Sequence, residues 1–472
     1  MNLGEIKKLY FLGIGGIGMS ALARYFNSRG CEIHGYDKTE TTLTKKLVAE
    51  GMKIHYEENP ALLPPDIDLV VWTPAVPRDN LEMQFFNQSG IPVKKRAEVL
   101  GLISRSHRTI AVAGTHGKTT TSTLVAHLLH TAGICCAAFL GGIAKNFGSN
   151  FVDGDSDWVV AEADEYDRSF LHLAPEIAVL MSMDPDHLDI YGDAKQIEET
   201  GFKEFLRRVK AGGKIFLKSG LEPSFQNMAF ETFGVEVGQY RAENLRVENG
   251  WFIFDFVAPA FHLRAEAIPG SAQRTVGKQI HEEVRWKELR FTMPGRHNVE
   301  NACAAIAAAM QAGAGEEAVR KALANFKGIV RRFEIVYRDE QRVFIDDYAH
   351  HPTEIRSAVQ AARELFPGQK ITGIFQPHLY SRTRDFQDGF AEELDKLDSI
   401  ILMDIYPARE EPIPGITSEV IFEKMKNPHK VLVTKANMLE VLKSKDLDVL
   451  MTIGAGDIDT FVEPIKRWLM KR

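Results

Sequence analysis

Short apolar runs alternate with longer amphipathic segments along most of the chain, and this alternation predicts repeated strand–helix–strand units. In the first hundred residues it predicts a helix at Met19–Ser28 and strands at Lys8–Gly13, Cys31–Asp37, Asp68–Thr73 and Pro92–Lys95. We therefore expect the chain to begin with a small doubly wound α/β domain, which we bound at residues 1–105.

A second series of units follows the polar stretch Ser104–Arg108, which we interpret as a linker. Strands are predicted at Thr109–Ala113, Trp158–Ala163 and Ile177–Met183. From about Gly212 to Thr292 the runs become short and alternating, a pattern typical of antiparallel strands. We take this part as an elaboration of a central domain that covers residues 106–327.

The last third of the chain returns to the first pattern. The Ala-rich segment Val299–Gln311 predicts a buried helix, and Lys327–Arg332 a second linker. Further strands are predicted at Val343–Ile345, Ile371–Phe375, Ile400–Ile405, Lys430–Val433 and Val449–Ile453. The fold class we predict is α/β with three domains, the third covering residues 328–472 and resembling the first in its Rossmann-like pattern.

Composition narrows the possible functions. The 472 residues carry a net charge of −7, which argues against a broad nucleic-acid or anionic-membrane surface. The four cysteines lack metal-ligand spacing, so we expect reduced thiols and a cytoplasmic protein. The sequence shows neither a signal peptide nor an apolar stretch long enough for membrane insertion. Because the net charge is negative, any phosphate group that the protein binds must be held at a local site.

The first such site is the sequence Gly13-Ile14-Gly15-Gly16-Ile17-Gly18 between a predicted strand and helix. Glycines at this junction let the backbone approach a pyrophosphate, and Asp37 at the end of the next strand is placed to bond a ribose. The spacing alone is typical of a dinucleotide site, and a tight turn without a ligand remains the alternative.

The second site is Gly114-Thr115-His116-Gly117-Lys118-Thr119-Thr120, which follows the predicted strand Thr109–Ala113. A Gly-Lys-Thr entering a helix supplies backbone N–H groups and a lysine for phosphates and a hydroxyl for Mg²⁺. Val112 occupies the position where the common phosphate-loop pattern has its first glycine. The sequence therefore predicts a phosphate loop of a less common form.

Acidic residues follow the next two predicted strands. Glu162, Asp164, Glu165 and Asp167 lie at one strand end, and Asp184-Pro185-Asp186-His187-Leu188-Asp189 lies at the other. Carboxyl ends of neighbouring strands are where open sheets bind ligands, and carboxylates there can complete the oxygen shell of a Mg²⁺ ion. Taken singly, an acidic residue here is more often a helix cap or a solvated loop charge, and a lone histidine such as His187 is more often structural. The phosphate loop after the preceding strand favours the metal site.

The third domain carries two polar motifs, Asp346–Pro352 and Gln376–Arg384, each after a predicted strand. The adjacent histidines His350 and His351 rarely bind one metal ion, because successive side chains point to opposite faces. Arg382 and Arg384 either bind a carboxylate or phosphate or simply solvate a helix start.

Read in order, these motifs, together with Gly295-Arg296-His297-Asn298 and Asn301, resemble the Mur ligases of peptidoglycan synthesis, from Tyr10 to Asp457. The segment from Tyr406 to Gly415 resembles the members that use L-alanine. The resemblance implies a UDP-sugar domain, a central ATPase domain, and a third domain that closes to admit the amino acid. The implied activity is ATP-dependent joining of L-alanine to the lactyl carboxylate of UDP-N-acetylmuramate through an acyl phosphate, with Mg²⁺.

The resemblance also implies roles for individual residues. The UDP-sugar diphosphate would lie on Gly13, Gly15, Gly16 and Gly18, with Asp37 near the ribose or uracil. ATP would be bound by Gly114, Thr115, His116, Gly117, Lys118, Thr119, Thr120, His297, Asn298, Asn301, Arg332 and Asp347. Mg²⁺ would be bound by Thr119, Glu162 and His187. The amino acid would be bound by Arg382, His351 and His378. Catalysis would depend on Lys118, His187 and His351, the last assisting deprotonation of the amine.

Two departures from the family pattern matter. Counting from His187 to the carbamoylated lysine of several Mur ligases gives Phe202, with Lys203 one position away, so we do not expect that modification. Leu379 stands where relatives often have arginine, which leaves Arg382 to hold the amino-acid carboxylate.

Other functions remain as alternatives. A recycling ligase that adds a murein tripeptide differs only in the third-domain segments. An NAD-dependent oxidoreductase would not need the phosphate loop, and a non-catalytic nucleotide-binding module would not need Glu162 and His187. We expect a monomer or a weak homodimer.

Overall fold

A computed structural model describes residues 3–184, 193–260, 283–408 and 410–471. The chain forms two compact units, one of residues 1–244, 254–290 and 300–327 and the other of residues 245–253, 291–299 and 328–472. Each is α/β, and the elements form three sheets, as the hydrophobic pattern predicts.

The first sheet has the strand order β3-β2-β1-β4-β5 and is parallel throughout. Its strands are β1 (Lys8–Leu12), β2 (Glu32–Tyr36), β3 (Lys53–His55), β4 (Leu69–Trp72) and β5 (Val93–Lys95). The helices are α1 (Ile17–Ser28), α2 (Thr42–Ala49), α3 (Leu81–Ser89) and α4 (Arg96–Ser106). The strand order reverses direction at β1, so the glycine loop that follows β1 lies where doubly wound sheets bind ligands.

Four of these strands were predicted, and β3 was missed. Its three residues contain one apolar side chain, Ile54, and none is fully buried, so they carry no hydrophobic pattern. The linker predicted at Ser104–Arg108 is wrong. Ser104 to Ser106 form the last turn of α4, where the Ser104 and Ser106 hydroxyls donate to helix carbonyls, and Arg108 already begins the next strand.

The second sheet has the order β15-β14-β13-β12-β11-β10-β6-β9-β7-β8. Its strands are β6 (Arg108–Ala113), β7 (Ala137–Ala144), β8 (Ser149–Val152), β9 (Trp158–Ala163), β10 (Ile177–Leu180), β11 (Lys214–Lys218), β12 (Glu231–Val235), β13 (Tyr240–Glu248), β14 (Trp251–Ala258) and β15 (Val284–Phe291). Its helices are α5 (Lys118–Thr131), α6 (Ala194–Gln196), α7 (Lys203–Leu206), α8 (Arg296–Gln311) and α9 (Glu316–Asn325), with a π-helical turn at Ile197–Phe202. Strand β6 lies between β10 and β9 and pairs with both in parallel.

The antiparallel pairing expected from Gly212 onwards is wrong for the first strands of that region. Strand β11 pairs in parallel with both β10 and β12. The connection from β11 to β12 contains a 3-10 turn at Glu222–Phe225 and has the dozen or so residues that a parallel crossover needs. Alternating polarity along a strand does not reveal the direction of its neighbour.

The third sheet has the order β16-β17-β21-β18-β19-β20. Its strands are β16 (Glu334–Arg338), β17 (Val343–Asp347), β18 (Ile371–Phe375), β19 (Ser399–Met403), β20 (Lys430–Val433) and β21 (Val449–Ile453). Its helices are α10 (Pro352–Leu365), α11 (Tyr380–Leu394), α12 (Glu419–Lys424), α13 (Met438–Lys443) and α14 (Val462–Leu469). Only β16 pairs antiparallel, with β17, and the five predicted strands are confirmed.

Hydrophobic packing joins the first two sheets. One core contains buried side chains from both, and the Tyr25 ring of α1 packs 5.3 Å from Phe139 of β7 and 6.1 Å from Phe151 of β8. The third sheet has a separate core on each face. Of the helices in the described ranges, none has the length and apolar character needed to cross a membrane.

Candidate active site

The phosphate loop connects the end of β6 to the start of α5. Gly114 (φ +126°) and Gly117 (φ +83°) adopt backbone conformations that favour glycine, and a Cβ on Gly114 would lie 2.7 Å from the backbone nitrogen of Ser182. Ser182 follows the neighbouring strand β10, and its Oγ accepts a hydrogen bond from the His116 backbone N–H at 2.8 Å. The pairing of β6 with β10 therefore shapes the loop.

The Lys118 ammonium is held inside this loop. Its Nζ donates to the Gly114 carbonyl at 2.7 Å and to the two Glu165 carboxylate oxygens at 2.9 and 2.7 Å. Burial opposes the charged ammonium, yet the neighbouring carboxylates, led by Glu165, outweigh it and raise the pKa of Lys118. Burial in turn raises the pKa of Glu165, although Lys118 opposes this. The raised pKa keeps the Lys118 ammonium charged at neutral pH.

Oxygen donors suited to Mg²⁺ lie beside the lysine. Glu162 is at the end of β9, level with Val112 of β6, and its carboxylate accepts the Gly141 backbone N–H at 3.0 Å. Its negative charge contributes to the raised pKa of Lys118, which places it in the same site. Thr119 begins α5 and is 8% exposed. A carboxylate and a hydroxyl beside a phosphate loop match the preference of Mg²⁺ for oxygen, so both fit the predicted role. His187, the third predicted ligand, lies outside the described residues.

Other predicted ATP residues surround the loop. The Thr115 hydroxyl donates to the Asp184 carbonyl at 3.1 Å, and the His116 ring lies 3.4 Å from the Asp184 carboxylate. Thr120 is buried in the first turn of α5. On α8, the Asn301 side-chain oxygen lies 2.8 Å from the position that a Cβ on Gly117 would occupy. The structure thus brings Asn301 to the phosphate loop from far along the chain.

The remaining residues of that motif have local contacts in the second unit. The Asn298 side-chain amide donates to the Pro294 carbonyl at 2.6 Å, an interaction that fixes the start of α8. The His297 ring lies against Gly295, which has φ +95° and has no room for a Cβ, since that atom would be 2.6 Å from the ring. Their predicted contacts with the ATP base and ribose stay predictions.

Arg332 and Asp347, the ATP residues predicted in the third domain, lie together in the second unit. The buried Asp347 carboxylate accepts the backbone N–H groups of Phe333 and Ala349, both at 2.7 Å. Burial raises its pKa to about 6, and the Arg332 charge and these hydrogen bonds limit the rise. Arg332 donates to Glu354 at 3.4 Å.

His351 has a structural contact that its predicted catalytic role did not include. Its ring caps α10, because Nδ1 accepts the Thr353 backbone N–H at 3.3 Å, and it packs 4.6 Å from the Phe386 ring. Nδ1 is therefore engaged as an acceptor, and its role with the amino acid stays a prediction.

His350 was not selected as a site residue, yet the structure places it among the predicted amino-acid residues. Its ring lies 6.1 Å from that of His378, which in turn stacks on Tyr406 at 5.8 Å. Burial, aided by the Arg382 charge, lowers the pKa of His350 to about 4 despite Glu354. Arg382 is itself buried near the start of α11. The sequence signal for His350 was its adjacency to His351.

The first glycine loop connects the end of β1 to the start of α1. Gly13 (φ +82°) turns the chain, and its N–H donates to the Tyr36 carbonyl at 2.8 Å. The Asp37 carboxylate accepts the Gly15 N–H at 2.8 Å, so it orders the loop itself, and its predicted ribose or uracil contact stays a prediction. A Cβ on Gly18 would lie 2.9 Å from Arg96, a cation beside the start of α1 that the sequence analysis missed.

Phe202 and Lys203, the two positions compared above with the carbamoylated lysine of several Mur ligases, also lie in the first unit. Phe202 is fully buried, with its ring 5.7 Å from Phe170. The Lys203 ammonium lies 2.9 Å from Glu198 and 2.6 Å from Glu199.

Three domain models match nearly the whole chain. They are the Mur ligase family catalytic domain at residues 8–108, the Mur ligase middle domain at 112–309, and the Mur ligase glutamate ligase domain at 331–456. The chain belongs to the Mur ligase family.

Two relatives that match over nearly the full length are both named UDP-N-acetylmuramate–L-alanine ligase. The chain is 47% identical over 478 residues to UDP-N-acetylmuramate–L-alanine ligase of Flavobacterium psychrophilum, with 99% of both chains covered. It is 45% identical over 479 residues to the ligase of that name from Cytophaga hutchinsonii, covering 99% of this chain and 97% of the relative.

Solved structures agree on the architecture. UDP-N-acetylmuramate–alanine ligase of Thermotoga maritima matches with a TM-score of 0.80 at 30% identity, covering 98% of this chain and 100% of that one. A murein peptide ligase from Psychrobacter arcticus matches with a TM-score of 0.67 at 24% identity, covering 98% of each chain. The second likeness shows the fold alone.

Proposed function

We propose that this chain is an ATP-dependent, ADP-forming ligase that joins L-alanine to the lactyl carboxylate of UDP-N-acetylmuramate in peptidoglycan precursor synthesis. The observation that carries the proposal is the phosphate loop with its buried Lys118, in a chain similar from end to end to ligases of that name. A separate glycine loop at the end of β1 supplies the second phosphate site that a nucleotide-sugar substrate needs.

The first step transfers the terminal phosphoryl group. The lactyl carboxylate attacks the γ-phosphorus of ATP, which gives an acyl phosphate and ADP. Lys118 stabilises the charge on the transferring group, and the backbone N–H groups of the loop orient the phosphates. Thr119 and Glu162 would hold Mg²⁺, which neutralises phosphate charge when bound. His187 stays part of the proposal as a further ligand.

The second step forms the amide bond. The amine of L-alanine loses a proton with the assistance of His351, attacks the carbonyl carbon of the acyl phosphate and expels inorganic phosphate. We propose that Arg382 binds the carboxylate of L-alanine and that His378 and His351 line the rest of the amino-acid site. A guanidinium binds a carboxylate through charge-assisted bidentate hydrogen bonds, and Arg382 lies near the start of α11. Residues 328–472 would form the amino-acid domain.

The UDP-sugar belongs at the first loop, in residues 1–105, and ATP in residues 106–327. Gly13, Gly15, Gly16 and Gly18 let the backbone approach the diphosphate, and the start of α1 favours its charge. The four cysteines are free thiols, which suits the cytoplasm, where we place the reaction. The oligomeric state we propose is a monomer or weak homodimer.

A phosphate-release assay tests the proposal. We expect release from ATP to require both UDP-N-acetylmuramate and an amino acid, with L-alanine best and glycine or L-serine weaker. A pocket fitted to one methyl group discriminates by only about 1–3 kcal/mol, so weak activity with these analogues follows. Faster release with a murein tripeptide than with L-alanine would favour the recycling ligase instead.

A further inference from the structure

The contact between Lys118 and Glu165 is an ion pair removed from water. The Lys118 side chain is 13% exposed and that of Glu165 only 1%. Both carboxylate oxygens of Glu165 accept from the same ammonium, at 2.9 and 2.7 Å. The general phosphate-loop pattern gives the lysine a phosphate partner but assigns nothing to a residue 47 positions later in the chain.

The backbone around Glu165 fixes the direction of its side chain. The Asp164 carboxylate accepts the Tyr166 N–H at 3.1 Å, and the Glu165 carbonyl accepts the Arg168 N–H at 3.1 Å. Asp167, two residues later, forms an ion pair with Lys95 at 3.1 Å. The carboxylate therefore reaches the lysine from a turn held on both sides.

The charges in the site make this contact incompatible with a second strong partner for the lysine. Three carboxylates already attract the Lys118 ammonium and raise its pKa, those of Glu165, Asp164 and Glu162. A nucleotide adds further negative charge at the same ammonium, and two anions at one cation repel each other strongly where water is excluded. A phosphate that binds Lys118 must therefore weaken or replace the Glu165 contact.

We propose that Glu165 is a positioning residue that holds Lys118 at the phosphate loop when no nucleotide is bound and releases it to the phosphates when ATP arrives. This inference rests on the proposed ATP site. Glu165 stabilises the empty state by keeping the buried ammonium paired and in place. It thereby lowers the affinity for nucleotide, because part of the phosphate–lysine interaction is offset by the lost ion pair.

The isosteric variant Glu165→Gln tests this by removing the competing charge. Its empty form loses the buried ion pair, whereas its nucleotide-bound form loses little, since there the lysine contacts phosphate. We expect the Mg²⁺ complex of the β,γ-imido analogue of ATP to bind Glu165→Gln about tenfold more tightly than it binds the wild-type chain. The melting temperature should fall without nucleotide, and the shift on adding nucleotide should be larger than in the wild type.

Glu82→Gln is the matched control. Glu82 is also fully buried and hydrogen-bonded, to Tyr10 at 2.5 Å and His55 at 2.7 Å, but it belongs to the first sheet. The Glu82→Gln variant should have a lower melting temperature than the wild type and the same affinity for the ATP analogue. Glu165→Asp is a second variant, which keeps the negative charge on a shorter side chain. We expect its affinity for the ATP analogue to exceed that of the wild type by less than the affinity of Glu165→Gln does. This variant keeps the test available if Glu165→Gln does not fold.

Calorimetric titration of the full chain separates the outcomes. Unchanged affinity in Glu165→Gln, with equal losses of melting temperature in both states, would mean that the ion pair persists in the bound state and would overturn the inference. Weaker binding would overturn it too, because Glu165 would then support the nucleotide complex. If the wild-type chain itself bound no nucleotide, the proposed function would fail and this inference with it.

Discussion

Asn150 on strand β8 donates its side-chain amide to the Ser20 hydroxyl on helix α1 at 2.9 Å, which connects the second sheet to the layer that covers the first. The same amide donates to the Ile17 carbonyl, and the Asn150 oxygen accepts from Arg24. Ile17 is the first residue of α1 and belongs to the first glycine loop, Gly13–Gly18. One buried asparagine therefore ties that loop to the sheet that carries the phosphate loop.

We expect Asn150→Ala to lower the free energy of unfolding by about 1–3 kcal/mol, because it removes the hydrogen bonds that Asn150 makes with Ser20, Ile17 and Arg24. Denaturant unfolding followed by tryptophan fluorescence measures this. Ser28→Ala is the control, since Ser28 joins the same two layers through an exposed hydrogen bond to Asp153 at 3.1 Å. That variant should change stability by less than about 0.5 kcal/mol. Equal losses in both variants would contradict a special role for the buried contact.

Lys118→Ala should reduce turnover by more than about 100-fold, because it removes the charge that stabilises the transferring phosphoryl group. Affinity for UDP-N-acetylmuramate should stay near the wild-type value, since the two glycine loops follow strands of different sheets. Calorimetry with the nucleotide-sugar and a phosphate-release assay check the two expectations. Lys321→Ala, at an exposed lysine of α9, should leave both unchanged. Loss of nucleotide-sugar affinity in folded Lys118→Ala would contradict the separation of the two sites.

Gly141→Ala should disturb the Glu162 carboxylate directly. A Cβ at this position would overlap both carboxylate oxygens, so the end of the Glu162 side chain must shift and its hydrogen bond from the Gly141 N–H is disturbed. We expect turnover to fall about tenfold or more and the Mg²⁺ concentration for half-maximal rate to rise.

The control for this variant is Gly315→Ala. A Cβ there meets no atom within 4 Å, and the residue has φ −97°. Its kinetics should match the wild type at every Mg²⁺ concentration. A normal Mg²⁺ dependence in Gly141→Ala would show that Glu162 does not hold the ion.

His350 should make the stability of the chain fall as pH decreases. Its pKa is lowered to about 4 in the folded chain, whereas an unfolded histidine has a pKa near 6.5, so protons bind the unfolded chain first. The contribution is complete above about pH 6.5 and is lost as pH falls through about 4. Its partial loss should lower the free energy of unfolding of the wild type by about 2 kcal/mol between pH 7 and pH 5.

His350→Gln removes this titration. Urea unfolding at both pH values should therefore show that the wild type loses about 2 kcal/mol more than the variant on acidification. The charged neighbours Glu354, Arg382 and Arg332 remain in both proteins, and so their contributions largely cancel. Parallel pH profiles would contradict the lowered pKa.

The features that sequence predicted are those encoded by neighbouring residues. Glycines at positive φ, such as Gly13, Gly114 and Gly117, occur in short motifs between a strand and a helix, and the parallel sheets follow from runs of buried side chains. Sequence did not predict contacts that depend on sheet order. Ser182 reaches the phosphate loop only because β10 lies beside β6, and Glu165 reaches Lys118 only because β9 lies on the other side.

Some residue types suit more than one role. His351 has the residue type of a catalytic base, and its position before Pro352 also suits the helix cap that it forms in the structure, so its catalytic role stays a prediction. Ser104 and Ser106 look like linker residues by composition, but their hydroxyls donate back to carbonyls of α4.

The positions of the site residues along the chain set the order in which the two nucleotide sites can form during protein synthesis. The first sheet is complete once Lys95 has been made, so the first glycine loop can form early. The phosphate loop also needs Ser182 and Asn301. At about 5–20 residues per second, a ribosome adds Asn301 about 10–40 seconds after Lys118. In the proposed assignment, every residue of the nucleotide-sugar loop is therefore made well before the last residues that contact the ATP loop.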